Sequence, residues 1–235
     1  HFLVKSVRSD GGRIPGIEAT IQRRYPQCFA IEDATGNRQV YTQREYDRLM
    51  DKFTSNSPNP EEVNLFKNSR TTTFVRILLN KNTLLTVWSP DLVADMQEGD
   101  VIRLFGAVPS KHHTDGHLNL NTIKGTLIVK VKSGTTTRQI VSEIPEKDAL
   151  PKELDISCTV SEKPEEANQR SMSLFVQDTH GNQLCILVPK RHFDTFPRLQ
   201  PNQALTFHDI LFMHYDRQKA LPVYTFTERS DIKLK

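Results

Sequence analysis

A mainly β chain of two small barrels in tandem is predicted by three observations: a block of β-rich runs that occurs twice, strong turn signals between the runs, and a short helical signal at the same place in each block. The copies span residues 72 to 131 and 171 to 229 of a 235-residue chain, a length that suits two domains of ordinary size.

In the first copy Thr73–Leu79 and Thr83–Trp88 flank the polar turn Asn80-Lys81-Asn82 and should pair as a hairpin. Ser89 as N-cap, Pro90 at the first position and Asp91 in the first turn predict a short helix to Met96. Val101–Val108 resumes the strand pattern, Ser110–Gly116 is a polar loop, and Leu118–Val131 offers a closing strand. In the second copy Ser171–Gln177 and Gln183–Val188 flank the turn Asp178–Asn182, Pro189–Leu199 is the helix, and Ala204–His214 and Leu221–Thr227 are the last strands. One further strand precedes each block, Ile17–Tyr25 and Leu154–Val160, so each module has five strands with a helix between the third and fourth. That order is the OB-fold, which presents its second and third strands and two loops to extended ligands. The predicted modules are residues 1–141 and 154–235, joined by a polar linker, 142–153, whose two prolines in Ser142–Lys152 make it a semi-stiff spacer.

Residues 42–70 interrupt the first module. Thr42-Gln43-Arg44-Glu45 has capping-box spacing, and Tyr46, Leu49, Met50 and Phe53 recur with helical period, which predicts about three turns serving as a plug over one barrel end. Ser57-Pro58-Asn59-Pro60 stops it, and a further turn is expected from Glu61 to Phe66.

Composition excludes several classes. No apolar run approaches the roughly 18 residues of a membrane span, and His1-Phe2-Leu3-Val4-Lys5 shows no signal peptide. Cys28, Cys158 and Cys185 have neither metal-ligand spacing nor the even count of a disulfide framework, which suits a reducing compartment. No phosphate-binding glycine loop, paired metal-ligand motif or nucleophile elbow is present, so no enzyme activity and no cofactor are expected. The net charge of +3 is uneven: residues 1–140 carry 19 Lys and Arg against 14 Asp and Glu, the remainder 12 against 14. The first module is the better candidate for a phosphate contact.

The chain resembles the C-terminal DNA-binding region of the breast cancer type 2 susceptibility protein family. The resemblance is carried by Ser9-Asp10-Gly11-Gly12, Ile21-Gln22-Arg23-Arg24-Tyr25-Pro26, Tyr41 before a charged helix, Thr72–Ile77 and Leu85–Pro90, and continues through Leu154-Asp155-Ile156, Phe175–Asp178 and Pro222–Phe226. It implies the family's middle and last OB-folds, single-stranded DNA as ligand, a nuclear location, and a part in homologous recombination and double-strand break repair, in which a RecA-like recombinase is loaded through other parts of the full protein. It also implies the family's small acidic partner protein. The family's long helical tower has no room here, since Gln43–Asn68 holds two prolines and a helix advances only about 1.5 Å per residue.

A single strand is held when cations follow its phosphates and aromatic rings stack on its bases. The first-module candidates are Phe74, Arg76 and Trp88 on the second and third strands, Lys81 in their turn, Arg103 and Lys124 on or near the last two, and Lys111 in the loop Ser110–His117. Phe74, Arg76 and Leu78 share one face by period two if the alternation holds, and Trp88 is either a stacking surface or a barrel-end core residue. His112, His113 and His117 lie in one loop without a second cluster, so no metal site is assigned. In the second module Lys190, Arg191, Tyr215 and Arg217 form the matching basic and aromatic clusters. A protein-interaction scaffold that uses the OB grooves, and a telomere-type or replication-type single-strand binder, are the alternatives.

Overall fold

A computed structural model describes residues 8, 10–54, 69–80, 82–111, 116–168, 170–193 and 196–234. The chain is mainly β and divides into two compact units, His1–Thr137 and Arg138–Lys235.

The first unit opens with β1 (Ile17–Arg24), whose alternating pattern buries Ile17, Ala19 and Ile21. An unpredicted hairpin follows, β2 (Cys28–Glu32) and β3 (Arg38–Thr42). Its turn is built by Asp33, whose carboxylate accepts hydrogen bonds from Thr35 N and Asn37 N, with Gly36 at φ +82°. Helix α1 (Gln43–Thr54) starts on the predicted capping box: Thr42 N donates to Glu45 Oε2 at 2.7 Å and Glu45 N donates to Thr42 Oγ1 at 3.3 Å. None of its residues is fully buried. It packs on the hairpin, where Tyr46 stacks on Phe29 with ring centroids 4.0 Å apart, and not over a barrel end as its apolar stripe suggested. The turn expected at Glu61–Phe66 lies outside the described residues.

β4 (Arg70–Leu79) and β5 (Thr83–Val87) form the predicted hairpin, and a 3-10 turn, Pro90–Val93, stands at the predicted helix with Pro90 at its start. The expected single strand Val101–Val108 is broken at Gly106, φ +76°, into β6 (Val101–Phe105) and β7 (Val108–Pro109). A Cβ on Gly106 would meet the Arg13 guanidinium at 2.6 Å. The expected closing strand is likewise two: β8 (Leu118–Asn121) and β9 (Leu127–Lys132), separated by a turn that Thr126 closes through a hydrogen bond from Ile123 N. Antiparallel pairings link β4 to β1, β1 to β6 and β7 to β8, and β8 runs parallel to β5. The ring of five thus closes through the Gly106–Ala107 break, while β9 pairs with β6 outside it. Ile17, Ile21, Val75, Ile77, Leu79, Leu85, Val87, Ile102, Leu104 and Leu120 fill the interior.

The second unit closes with an uninterrupted ladder. β10 (Glu153–Val160), β12 (Ser171–Gln177), β13 (Gln183–Pro189), β15 (Leu221–Thr225) and β14 (Ala204–Asp216) pair in that order, and β14 returns to β10. Two short strands absent from the sequence reading, β11 (Glu165–Asn168) and β16 (Asp231–Leu234), border β12 and β14. Of the predicted helix Pro189–Leu199, only Lys190–His192 is helical among the described residues, as one 3-10 turn, and residues 196–199 are irregular. Opposite Asp155 the β10–β14 register slips by one residue, and Asp209 takes φ +55° in the bulge. Asp209 N donates to Asp155 Oδ1 at 2.7 Å, and Arg138 Nη1 donates to Asp209 Oδ2 at 2.7 Å. The stretch expected as a spacer runs along this barrel: Ile144 N donates to Asp178 Oδ2 at 3.0 Å and Ile144 packs against the core, as does Val141, which was expected to end the first module and bridges instead to Ile156.

In the first unit the buried carboxylate of Asp100 performs a similar task. It accepts from Gln97 N at 2.9 Å and Gly134 N at 3.0 Å, and faces Lys130 at 3.2 Å. Those two backbone donors, with Lys130, hold its carboxyl below the usual range against the cost of burial. A depressed carboxylate pKa contributes stability that is present above the unfolded value of about 4 and lost as pH falls through the folded value. Trp88, the sole tryptophan, reports this unit. Asp100→Asn is expected to lower the Trp88-monitored melting temperature at pH 7 and to flatten its fall between about pH 5 and 3; thermal melts across that range check it.

Candidate nucleic-acid interface

The hairpin β2–β3 has two faces, because residues directly opposite in an antiparallel pair share a face. Phe29 carries α1 on one. The other begins with Cys28, Ala30 and Phe74, over which Val40 and Trp88 pack, and continues to Glu32, Arg38, Arg70 and Thr72. With Trp88, Ser89, Leu92 and the turn Thr122–Thr126 this face lines a groove of about 670 Å³. Trp88 N donates to Thr122 Oγ1 at 2.9 Å, which ties the end of β5 to that turn.

Trp88 is half-buried, and the Arg38 guanidinium lies over its ring, 4.2 Å from the centroid. Arg38 Nη2 also donates to Thr72 Oγ1 at 3.4 Å. Phe74 packs on Trp88 with ring centroids 5.0 Å apart and is 1% exposed, so it is core and is not available for stacking. The predicted alternation of β4 holds: Phe74, Arg76 and Leu78 point away from the barrel interior, where Val75, Ile77 and Leu79 sit. Phe74 is buried nonetheless because the hairpin covers it, which the barrel order alone does not reveal.

The remaining predicted residues are dispersed. Lys124 is exposed and lines the groove. Arg76 lies over the Phe74 ring at 5.2 Å, and Arg103 is drawn to Glu18 at 2.9 Å, both outside the groove lining. Lys111 is exposed at the start of its loop, whereas Lys81 lies outside the described residues, as do His112 and His113. In the second unit Lys190 is exposed on the 3-10 turn and Arg191 pairs with Glu228 at 2.9 Å. Tyr215 donates its hydroxyl to Ala220 O at 2.8 Å and lies under Lys147, and Arg217 is exposed in the same turn.

Sequence reasoning missed Arg38, Arg70 and Glu32, which the unpredicted hairpin brings to Trp88. The available signal was the turn Asp33-Ala34-Thr35-Gly36-Asn37 between two apolar runs. It also missed Phe175, on the outward face of β12 with the Lys219 ammonium 4.8 Å from its ring centroid.

No family model and no curated protein matches the sequence. Among solved structures the chain is similar to the HIN2 domain of p202, solved as a tetramer, with 11% identity, a TM-score of 0.51 and 98% of each chain covered. It is similar to the HINb domain of p204 with 10% identity, a TM-score of 0.50, and 96% of this chain and 100% of that one covered. A third similar structure is a replication protein A heterotrimer bound to single-stranded DNA, with 11% identity and a TM-score of 0.46, covering all of this chain and 52% of that one. At such identities the likeness is one of fold. Barrel order and fold likeness together define a mainly β protein of tandem OB-fold type.

The Arg38–Trp88 contact has a direct consequence. Arg38→Ala is expected to raise the acrylamide quenching constant of Trp88 fluorescence by about twofold while leaving the far-ultraviolet circular dichroism unchanged, because the guanidinium covers one ring face.

Proposed function

We propose that the chain binds single-stranded nucleic acid, and that the groove of the first unit is its principal seat. The observation that carries this reading is the convergence of one aromatic ring, Trp88, with three cations, Arg38, Arg70 and Lys124, in a single open groove. Cations along such a groove follow phosphates, and an aromatic face contributes about 1 to 3 kcal/mol for each stacked base. The groove is formed by the long connection after the first strand and by the outer face of the second and third, a ligand-facing region of OB-folds. Threonine and serine hydroxyls from Thr72, Ser89 and Thr122 complete the lining and suit a polar backbone.

The resemblance to the breast cancer type 2 susceptibility protein family supports a finer reading: a nuclear recombination mediator without enzyme activity, acting where a RecA-like recombinase is loaded on single strands. The HIN-domain structures similar to this one include p202 HIN1 in complex with a 12-mer double-stranded DNA, so a duplex is the comparison ligand in the test. A protein contact is the second reading for a different surface, favoured by β9, whose Leu127, Val129 and Val131 are 54%, 41% and 43% exposed beside Phe105.

The test is fluorescence anisotropy of a labelled mixed-sequence single strand and of its duplex, titrated at several salt concentrations. Tighter binding of the single strand is expected. Arg70→Ala and Lys124→Ala should each weaken it about fivefold, or ~1 kcal/mol, and should each lower the slope of log affinity against log salt by about 0.7. Absence of binding at low salt by folded protein would remove the nucleic-acid reading.

A further inference from the structure

One residue of the groove does not suit a phosphate. Glu32 lines it among Arg38, Arg70 and Lys124, and a carboxylate beside a phosphate track repels the ligand that the cations attract. Its place is fixed by register. β2 lies between β3 and β4, and Glu32 is directly opposite Arg38 on one side and Arg70 on the other. Opposite residues share a face and stand about 5 Å apart at Cβ, so the three side chains form one row, Arg38–Glu32–Arg70. Arginine only donates and an ionised glutamate only accepts, which gives the row the order donor, acceptor, donor.

Resting on the nucleic-acid reading of the groove, we propose that this row reads the Watson–Crick edge of a thymine or uracil seated beside Trp88 in the plane of the Arg38 guanidinium. That edge presents a carbonyl oxygen, the N3–H and a second carbonyl oxygen, which is acceptor, donor, acceptor and the complement of the row. Glu32 takes the N3–H and the two guanidiniums donate to O2 and O4. The other bases fit worse in the same seat. Guanine offers N1–H to Glu32 and O6 to one arginine but sets its 2-amino group against the other. Cytosine sets its N3 lone pair against the carboxylate and its amino group against a guanidinium, and adenine does the same with N1 and its 6-amino group. The row therefore ranks thymine and uracil first, guanine second, and cytosine and adenine last. Arg38 is the best placed of the three, because its plane is held by Trp88 at 4.2 Å and by Thr72 Oγ1 at 3.4 Å. A plane fixed in this way keeps the direction of its remaining in-plane donors.

The experiment compares 12-mer oligo-dT with oligo-dC at one salt concentration. Both are weakly stacked pyrimidine strands of equal charge, so backbone flexibility and phosphate contacts contribute alike. Wild-type protein is expected to bind oligo-dT about tenfold more tightly. Replacing thymine by N3-methylthymine, which removes the donor, should abolish that margin. Glu32→Ala should bring the two strands to within about twofold, chiefly by tightening oligo-dC. Glu32→Gln, which loses the charge and keeps a carbonyl acceptor, should retain a preference for oligo-dT. If Glu32→Ala and Glu32→Gln tighten both strands by the same factor and leave their ratio unchanged, the carboxylate is a counter-ion of the two arginines and the proposal is overturned, with strand binding itself intact. If folded wild-type protein binds neither strand, the groove reading fails first and this one with it.

Discussion

The division of β4 between two partners governs the first unit. Its first half, Arg70–Phe74, pairs with β2, and its second half, Val75–Leu79, pairs with β5 and reaches β1 through Ile77, Leu78 and Leu79. One ten-residue strand therefore belongs both to the barrel and to the inserted hairpin. The alternation of side chains runs unbroken through the change of partner, so the face that is outer wall in the second half becomes the inner face of the hairpin in the first. Phe74 sits at the crossover and is buried from both directions, by Cys28 and Ala30 and by Trp88. Trp88, one residue beyond the end of β5, packs on the hairpin's inner cluster, and Arg38 crosses to it. Moving the hairpin by one residue against β4 would turn Arg38 and Glu32 to the side that carries α1 and leave Arg70 alone on the groove face.

Irregular backbone in both units is fixed by buried aspartates. Asp100 gathers Gln97 N, Gly134 N and Lys130 around a loop whose Gly99 takes φ +94°, with no room for a Cβ beside Thr136 N at 2.7 Å. Asp155 holds the bulge of β14 through Asp209 N, and Arg138 faces both carboxylates, at 3.8 Å from Asp155 and 2.7 Å from Asp209. A buried carboxylate with a full set of donors is tolerable where an unpaired one is not, and each of these locks chain from outside the barrel onto it. The segment after β9 is tied down at Asp100, and Arg138 fastens the start of the second unit. Charge at these positions supports architecture, which separates them from the exposed charges of the groove.

Much of this organisation is legible in the sequence because it depends on local rules. The period of Thr73–Leu79, the capping box at Thr42, Pro90 at the head of its turn and the Asp178 turn each specify their neighbours within a few residues. What escapes is pairing between distant segments. The hairpin β2–β3 is short and half polar on one face, and its meaning lies in the pairing of Glu32 with Arg70 across 38 positions of chain. Phe74 reads as a groove candidate and Trp88 as either a stacking surface or a barrel-end core residue, and only the long-range register buries the first and leaves the second half-buried. Arg103 and Arg191 were plausible phosphate ligands by type and strand, but each has a carboxylate at 2.9 Å that lies 85 or 37 positions away. The breaks at Gly106 and at Thr122–Thr126 each carry a glycine, Gly106 and Gly125, but β-rich runs resume directly after both and mask them.

On the proposed reading, the groove also limits how a strand is held. One aromatic platform serves one or two bases, since each stacked base needs a ring face of its own, and the partner face of Trp88 is taken by Arg38. Three cations add a salt-sensitive term of a few phosphates. Such a site suits short occupancy at one seat rather than a long continuous track. The second unit has an aromatic–cation pair of its own on the outer face of its second and third strands, Phe175 under Lys219 with Leu187 beside it. Both units thus set an aromatic ring beside a cation, but at different places in the barrel order: Trp88 follows the third barrel strand and meets Arg38 of the inserted hairpin, whereas Phe175 lies on the second barrel strand and meets Lys219 of the turn after β14. The chemistry recurs without the position, because each ring is covered by whichever neighbouring connection brings a cation to it.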